Sequence, residues 1–217
     1  MKKWLSIGLV VGWLYSLSSC SIPPDETIIF LGPESYVTPI EKMIPDAWQV
    51  PFLSNLGSLP EGYCPPDIEG EYRISKKQFC TSNLGYDLSD SLDMYLRIVN
   101  QNNRLASVQF FEGGSVWTDT AFIMGDDDRF TLYFKEKRAL VSYGTTQAHW
   151  RFVIFTGRMS EEGVRDLYFG SLILSADNGE DQYVGAFIPG WYFIYKDDDG
   201  LSENSDWFSH VEDDGDE

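Results

Sequence analysis

The stretch RFTLYFK, residues 129–135, places Phe130, Leu132 and Phe134 on one face and Arg129, Thr131, Tyr133 and Lys135 on the other. Successive side chains of a strand point to opposite faces, so this alternation predicts a β-strand with one apolar face. The same period recurs on both sides of it. Upstream, GEYRIS (70–75) puts Tyr72 and Ile74 together, and LDMYLRIVNQ (92–101) sets Met94, Leu96 and Ile98 against Tyr95, Arg97 and Val99. Asn102-Asn103 forms a turn, because Asn tolerates positive φ, and RLASVQFFE (104–112) returns from it. Gly113-Gly114 leads into SVWTDTAFIM (115–124), and Asp126-Asp127-Asp128 leads into the opening stretch. Downstream, Glu136-Lys137 leads to ALVSYG (139–144), Thr145-Thr146 to AHWRFVIFT (148–156), Glu161-Glu162-Gly163 to VRDLYFGSLILS (164–175), and Asn178-Gly179 to YVGAFIPGWYFIYK (183–196). About nine strands joined by short turns predict an all-β, antiparallel meander. A meander of this length hides its edges by closing into a barrel or by folding into a β-sandwich.

Prolines and charges mark the boundaries of this domain. Nine of the ten prolines fall between Pro23 and Pro66. Proline lacks a backbone donor and resists the middle of a sheet. Residues 20–66 are therefore a proline-rich arm, and pieces such as TIIFL (27–31) and MIPDAWQVPFL (43–53) are apolar enough to lie against the domain. Residues 67–196 form the β domain, and residues 197–217 read as an acidic C-terminal tail in which Trp207 and Phe208 could pin the middle. Asp197-Asp198-Asp199-Gly200 invites comparison with a calcium loop. Aligned on its glycine, however, it has Tyr195 at the first ligand position and no flanking helices, so it reads as part of a solvated tail.

The domain resembles the lipocalin-like barrels. That family opens with a Gly-X-Trp motif followed by a long lid loop. Here Gly70-Glu71-Tyr72 carries tyrosine in the tryptophan position, and residues 77–92 stand where the lid would be. The resemblance implies a barrel with a ligand cavity in its interior. On that implication Trp117, Tyr133, Tyr143, Trp150, Tyr168 and Trp191 are the candidate cavity aromatics. Core packing is the competing reading for all six.

The N-terminus supplies an address. Lys2 and Lys3 precede a 14-residue apolar run from Trp4 to Leu17, and Ser18-Ser19-Cys20 follows. Positive charge, a short apolar run and then small residues is the pattern of a signal peptide, here residues 1–19. A membrane-spanning helix needs roughly 20 apolar residues. Leu17-Ser18-Ser19-Cys20 also resembles the lipobox of bacterial lipoproteins. The resemblance implies cleavage before Cys20, a diacylglycerol on its sulfur and an acyl chain, such as palmitate, on the new amine. Ser21, rather than aspartate, follows the cysteine, which by that family's sorting rule implies the outer membrane, on its periplasmic or surface face. Cleavage removes Lys2 and Lys3 and no acid, so the net charge of −18 becomes −20. Such a charge disfavours nucleic acid and anionic lipid as partners and leaves the lipid anchor as the link to the membrane.

With Cys20 assigned to the lipobox, Cys64 and Cys80 remain in an oxidising compartment and predict a disulfide. No metal site is expected, because two cysteines and the scattered His149 and His210 lack ligand spacing. No cofactor motif, phosphate loop or nucleophile elbow is present. The residues thus favour a non-enzymatic envelope lipoprotein that binds a small apolar ligand in a barrel. The alternative is a module that holds an envelope protein or a glycan. A hydrolase using the strand carboxylates Asp119 and Asp166 is the less favoured third reading.

Overall fold

The computed structural model describes residues 39–60, 62–75, 77–84, 93–112, 115–142, 145–177 and 188–208. The signal peptide, Cys20, the start of the arm, Tyr143, residues 85–92 of the expected lid and the end of the tail lie outside the described residues. Two short helices, α1 (Ile40–Met43) and α2 (Asp46–Leu53), precede ten strands. These are β1 (Gly70–Ile74), β2 (Lys77–Ser82), β3 (Met94–Asn102), β4 (Leu105–Glu112), β5 (Ser115–Asp126), β6 (Arg129–Ser142), β7 (Thr145–Ser160), β8 (Gly163–Asp177), β9 (Tyr192–Asp197) and β10 (Leu201–Asn204).

All the strand pairings are antiparallel, and they close a ring. β1 pairs with β3, and hairpins carry the ladder from β3 to β8 in sequence order. The long β8 then pairs with β9 through Tyr168–Leu172 and with β10 through Gly163–Arg165. β10 returns to β1, with Tyr72 opposite Asn204, while β2 pairs with β9. β1 and β2 thus act as one interrupted strand, and so do β9 and β10. The interruption in the latter is the Asp198–Gly200 turn, where Gly200 takes φ +75°, a conformation open to glycine at no steric cost. The ring contains eight strands, so the all-β, antiparallel, closed meander expected from the sequence is the observed fold.

At one end, here the arm end, sit the β3–β4, β5–β6 and β7–β8 turns. Asn103 (φ 56°) and Asp127 (φ 50°) occupy the left-handed region there, as their short polar side chains allow. The arm crosses this end. Gly125 N–H donates to the Gly62 carbonyl, and the Arg104 guanidinium lies on the Tyr63 ring, 4.6 Å from its centre. The opposite, far end carries the β4–β5 and β6–β7 turns.

Alternation divides the side chains into two cores. Inside the ring, Ile68, Tyr72, Leu96, Ile98, Val108, Phe110, Ile123, Phe130, Leu132, Phe134, Val153, Phe155 and Phe169 are buried against one another. Outside it, Tyr133, Phe152, Ile154, Leu172 and Ile194 would face water, but Ile40, Met43, Ile44, Phe52 and Leu56 of the arm cover them. Phe52 packs edge-on against Phe152 and Tyr192, with centroids 6.1 and 5.6 Å away. Gly170 makes room for it, since a Cβ there would lie 2.9 Å from the Phe52 ring.

Four features depart from the sequence reading. β6 runs unbroken through Glu136-Lys137, which had read as a turn. β2 occupies the first part of the expected lid. β10 lies within the stretch read as tail, although Trp207 pins that stretch as expected, docked outside β3 and β4, stacked on Tyr95 at 4.8 Å and tilted on Phe111 at 4.6 Å. The Cys64–Cys80 disulfide is not formed: Cys80 is an exposed free thiol on β2, whereas the Cys64 N–H donates to Gly125 on β5. β2 and β5 are not neighbours in the sheet.

Candidate functional site

Toward the far end the interior changes from apolar to polar. Along β6 the inward positions read Phe130, Leu132, Phe134, Glu136 and Arg138, so the same alternation that builds the core delivers two charges beyond it. β7 faces them across the ladder, with Glu136 opposite Arg151 and Arg138 opposite His149. Glu136 Oε1 accepts from Nε of Arg138 at 2.7 Å and from Nε of Arg151. The side chains of Glu136, Arg138 and Arg151 are 6%, 13% and 4% exposed. In such a setting an ion pair has little net effect on stability unless its geometry is good, and one carboxylate oxygen shared by two guanidinium groups is a tightly specified arrangement. Aromatic faces hold the cations in place. The Arg138 guanidinium lies 3.9 Å from the centre of the Trp117 ring, and both arginines lie about 5 Å over Phe110. His149 is buried beside them, and its burial pushes the imidazole pKa down, toward the neutral form.

The wall is incomplete at this site. β5 and β6 are ladder-bonded only from Phe122–Tyr133 to Asp126–Arg129. From Ala121 to Ser115, β5 pairs with β4 alone, and from Phe134 to Ser142, β6 pairs with β7 alone. Ile123 N–H points to β4, so by alternation Thr120 N–H points into the seam; it donates to Asp119 Oδ1 at 2.7 Å. Asp119 thus stands in for the missing ladder partner. Burial raises the pKa of this carboxyl, and Glu136 adds to the effect. Trp117, on the same strand, reaches across the seam to Arg138 of β6, and its Nε1–H is buried with no hydrogen-bond partner.

The sequence candidates scatter around this geometry. Trp117 packs against the inner core at the seam. Tyr133 and Tyr168 lie on the outer face among the residues under the arm, and Trp150 is on the outside of β7, 44% exposed. Trp191 is half-buried just before β9, where its carbonyl accepts from Ile173 N–H at 2.8 Å. Tyr143 lies outside the described residues. Asp119 and Asp166 are not brought together: Asp166 is exposed near the arm end, at a positive-φ bulge, 3.9 Å from Lys196. Among the described residues no group of three or more His, Cys, Asp or Glu side chains could hold a metal ion. Glu136, Arg138 and Arg151 were missed because a turn at Glu136-Lys137 resets the alternation. Continuing it from Phe134 finds the first two. No family model, curated protein or solved structure matches the chain.

Proposed function

We propose that this protein is a lipid-anchored bacterial envelope protein, held at the outer membrane through Cys20, whose barrel is a binding module that takes a small ligand at its far end. The observation that carries the binding reading is the Glu136–Arg138–Arg151 cluster, buried inside the barrel beside a seam that lacks its hydrogen-bonded ladder. Ligand sites are concave and largely apolar, with a few converging polar groups, and this arrangement has that composition. Phe110, Leu132, Phe134 and Phe155 fill the middle of the barrel, which favours a ligand at the polar end over a purely apolar one held deep inside. The anchoring reading rests on the lipobox-like Leu17-Ser18-Ser19-Cys20 behind its basic and apolar segments.

Two experiments test the two halves. Fatty-acid labelling and membrane fractionation of Cys20→Ala are expected to show loss of label and release or accumulation of uncleaved precursor; unchanged labelling overturns the anchor. A thermal-shift screen of small molecules against the wild type and Arg138→Met is expected to give hits that the variant loses. Hits retained in full by the variant, or none at all, overturn the binding module.

A further inference from the structure

The chemistry of the seam narrows the ligand, taking the binding module above as its premise. Among its described side chains, Arg138 and Arg151 bring two positive charges, Glu136 and Asp119 two carboxyl groups, and His149 is held toward its neutral form. The formal charges balance. An anionic ligand entering between β5 and β6 would face Glu136 and Asp119, and a cationic one would face the two guanidinium groups, each in a setting where charge is weakly screened. What the seam presents instead is hydrogen-bonding capacity of both kinds. Trp117 Nε1–H is a buried donor that has no acceptor. Leaving such a group unsatisfied is costly, so an acceptor placed there gains more than an exposed contact would. Asp119, two residues along on the same face, is an acceptor already drawn to the seam-side N–H of Thr120. The unladdered edges of β5 and β6 add backbone groups of both kinds.

We infer that the seam between Trp117–Asp119 of β5 and Glu136–Arg138 of β6 binds a small uncharged polyol of the mono- or disaccharide kind. A hydroxyl both donates and accepts, so one molecule can satisfy the indole N–H and the carboxyl in the same pose. An alkyl chain satisfies neither.

Isothermal titration of the full-length chain, purified in a detergent without a sugar headgroup, tests this with glucose, N-acetylglucosamine and maltose as neutral probes, glucuronate as the charged counterpart of glucose, and indole as the apolar probe. A neutral sugar is expected to bind, and glucuronate at least tenfold more weakly than glucose. Trp117→Phe keeps the ring and removes the N–H, and is expected to weaken sugar binding about 3- to 10-fold, as removal of one hydrogen bond does. Asp119→Ala is expected to weaken it about tenfold or more, and the melting temperature of each variant reports whether it is folded. Tighter binding of glucuronate than of glucose, binding of indole alone, or sugar binding unchanged in folded Trp117→Phe and Asp119→Ala overturns the polyol assignment. If glucuronate or indole binds and Arg138→Met abolishes it, the binding module stands while the polyol class falls; heat from none of the probes also overturns the class, and hits lost in Arg138→Met in the screen above then decide whether the module stands.

Discussion

Glu136 is the residue on which two buried cations depend. Removing one member of a buried charge group leaves the others uncompensated, which costs about 3–5 kcal/mol. Glu136→Ala is therefore expected to lower stability by that order in urea unfolding, and by more than Arg138→Met, which removes a charge and keeps apolar volume over Trp117. A second buried acid sits in the last strand pair. Asp197 is fully buried; its Oδ2 accepts from Ser202 Oγ at 2.6 Å, and its Oδ1 has no partner. Burial pushes its pKa up to about 6, with Asp199 and Asp198 adding to the rise and the Ser202 hydrogen bond opposing it. The native state thus holds a proton that the unfolded state has released, over the window from the ordinary value of 3.8 to about 6. Stability from this group is full below that window, falls as pH rises through it, and stays low above it. Asp197→Asn is expected to raise stability at pH 7 by about 2 kcal/mol and to flatten the slope between pH 4 and 6, as read by melting temperature across that range. Neither acid was legible as special in so acidic a sequence: Asp197 belongs to a run of three, and only the strand phase across the Asp198–Gly200 interruption shows that it turns inward.

Elements were easier to read than the sites they carry. Period-two alternation located the strands from β3 to β8, because each carries a stretch with one apolar face and most are joined by short turns. It broke at β6, where both faces turn polar beyond Phe134, inward at Glu136 and Arg138 and outward at Lys135 and Lys137, so the alternation fades without any change in the backbone. The helices of the arm were hidden for a different reason. Pro39, Pro45 and Pro51 argue against helix in the middle of a segment, yet Pro39 and Pro45 stand at the two N-termini, where no N–H is needed. Pro51 lies inside α2, whose stability must then come from packing more than from propensity. That argument predicts a large effect at Phe52, the fully buried anchor of α2 on the barrel. Phe52→Ala is expected to cost about 3–5 kcal/mol, and limited proteolysis should then cut first near α2 while the strands remain protected. Equal protection of α2 in the variant would show that the helix does not depend on this contact.

At the scale of the whole molecule, circularity rests on the four residues of β10, which join β8 to β1. Ser202 is buried at their centre, opposite Val164, and also donates to Asp197. Ser202→Pro removes that hydroxyl and a backbone donor, and is expected to open the ring, expose the edges of β1 and β8 and give concentration-dependent self-association by size-exclusion chromatography. A monomer with unchanged melting temperature would show that closure lies elsewhere. The position of β10 also has a consequence in time. A chain that emerges N-terminus first can form its hairpins one after another, since each pairs neighbours in sequence. The partner of Tyr72 is Asn204, however, and arrives only after β2 to β9 have appeared. Contacts between such distant segments form slowly because the intervening loop must be ordered first. The barrel thus stays open until β10 is made, and under the export proposed here it would complete its circle only after β10 had crossed the membrane.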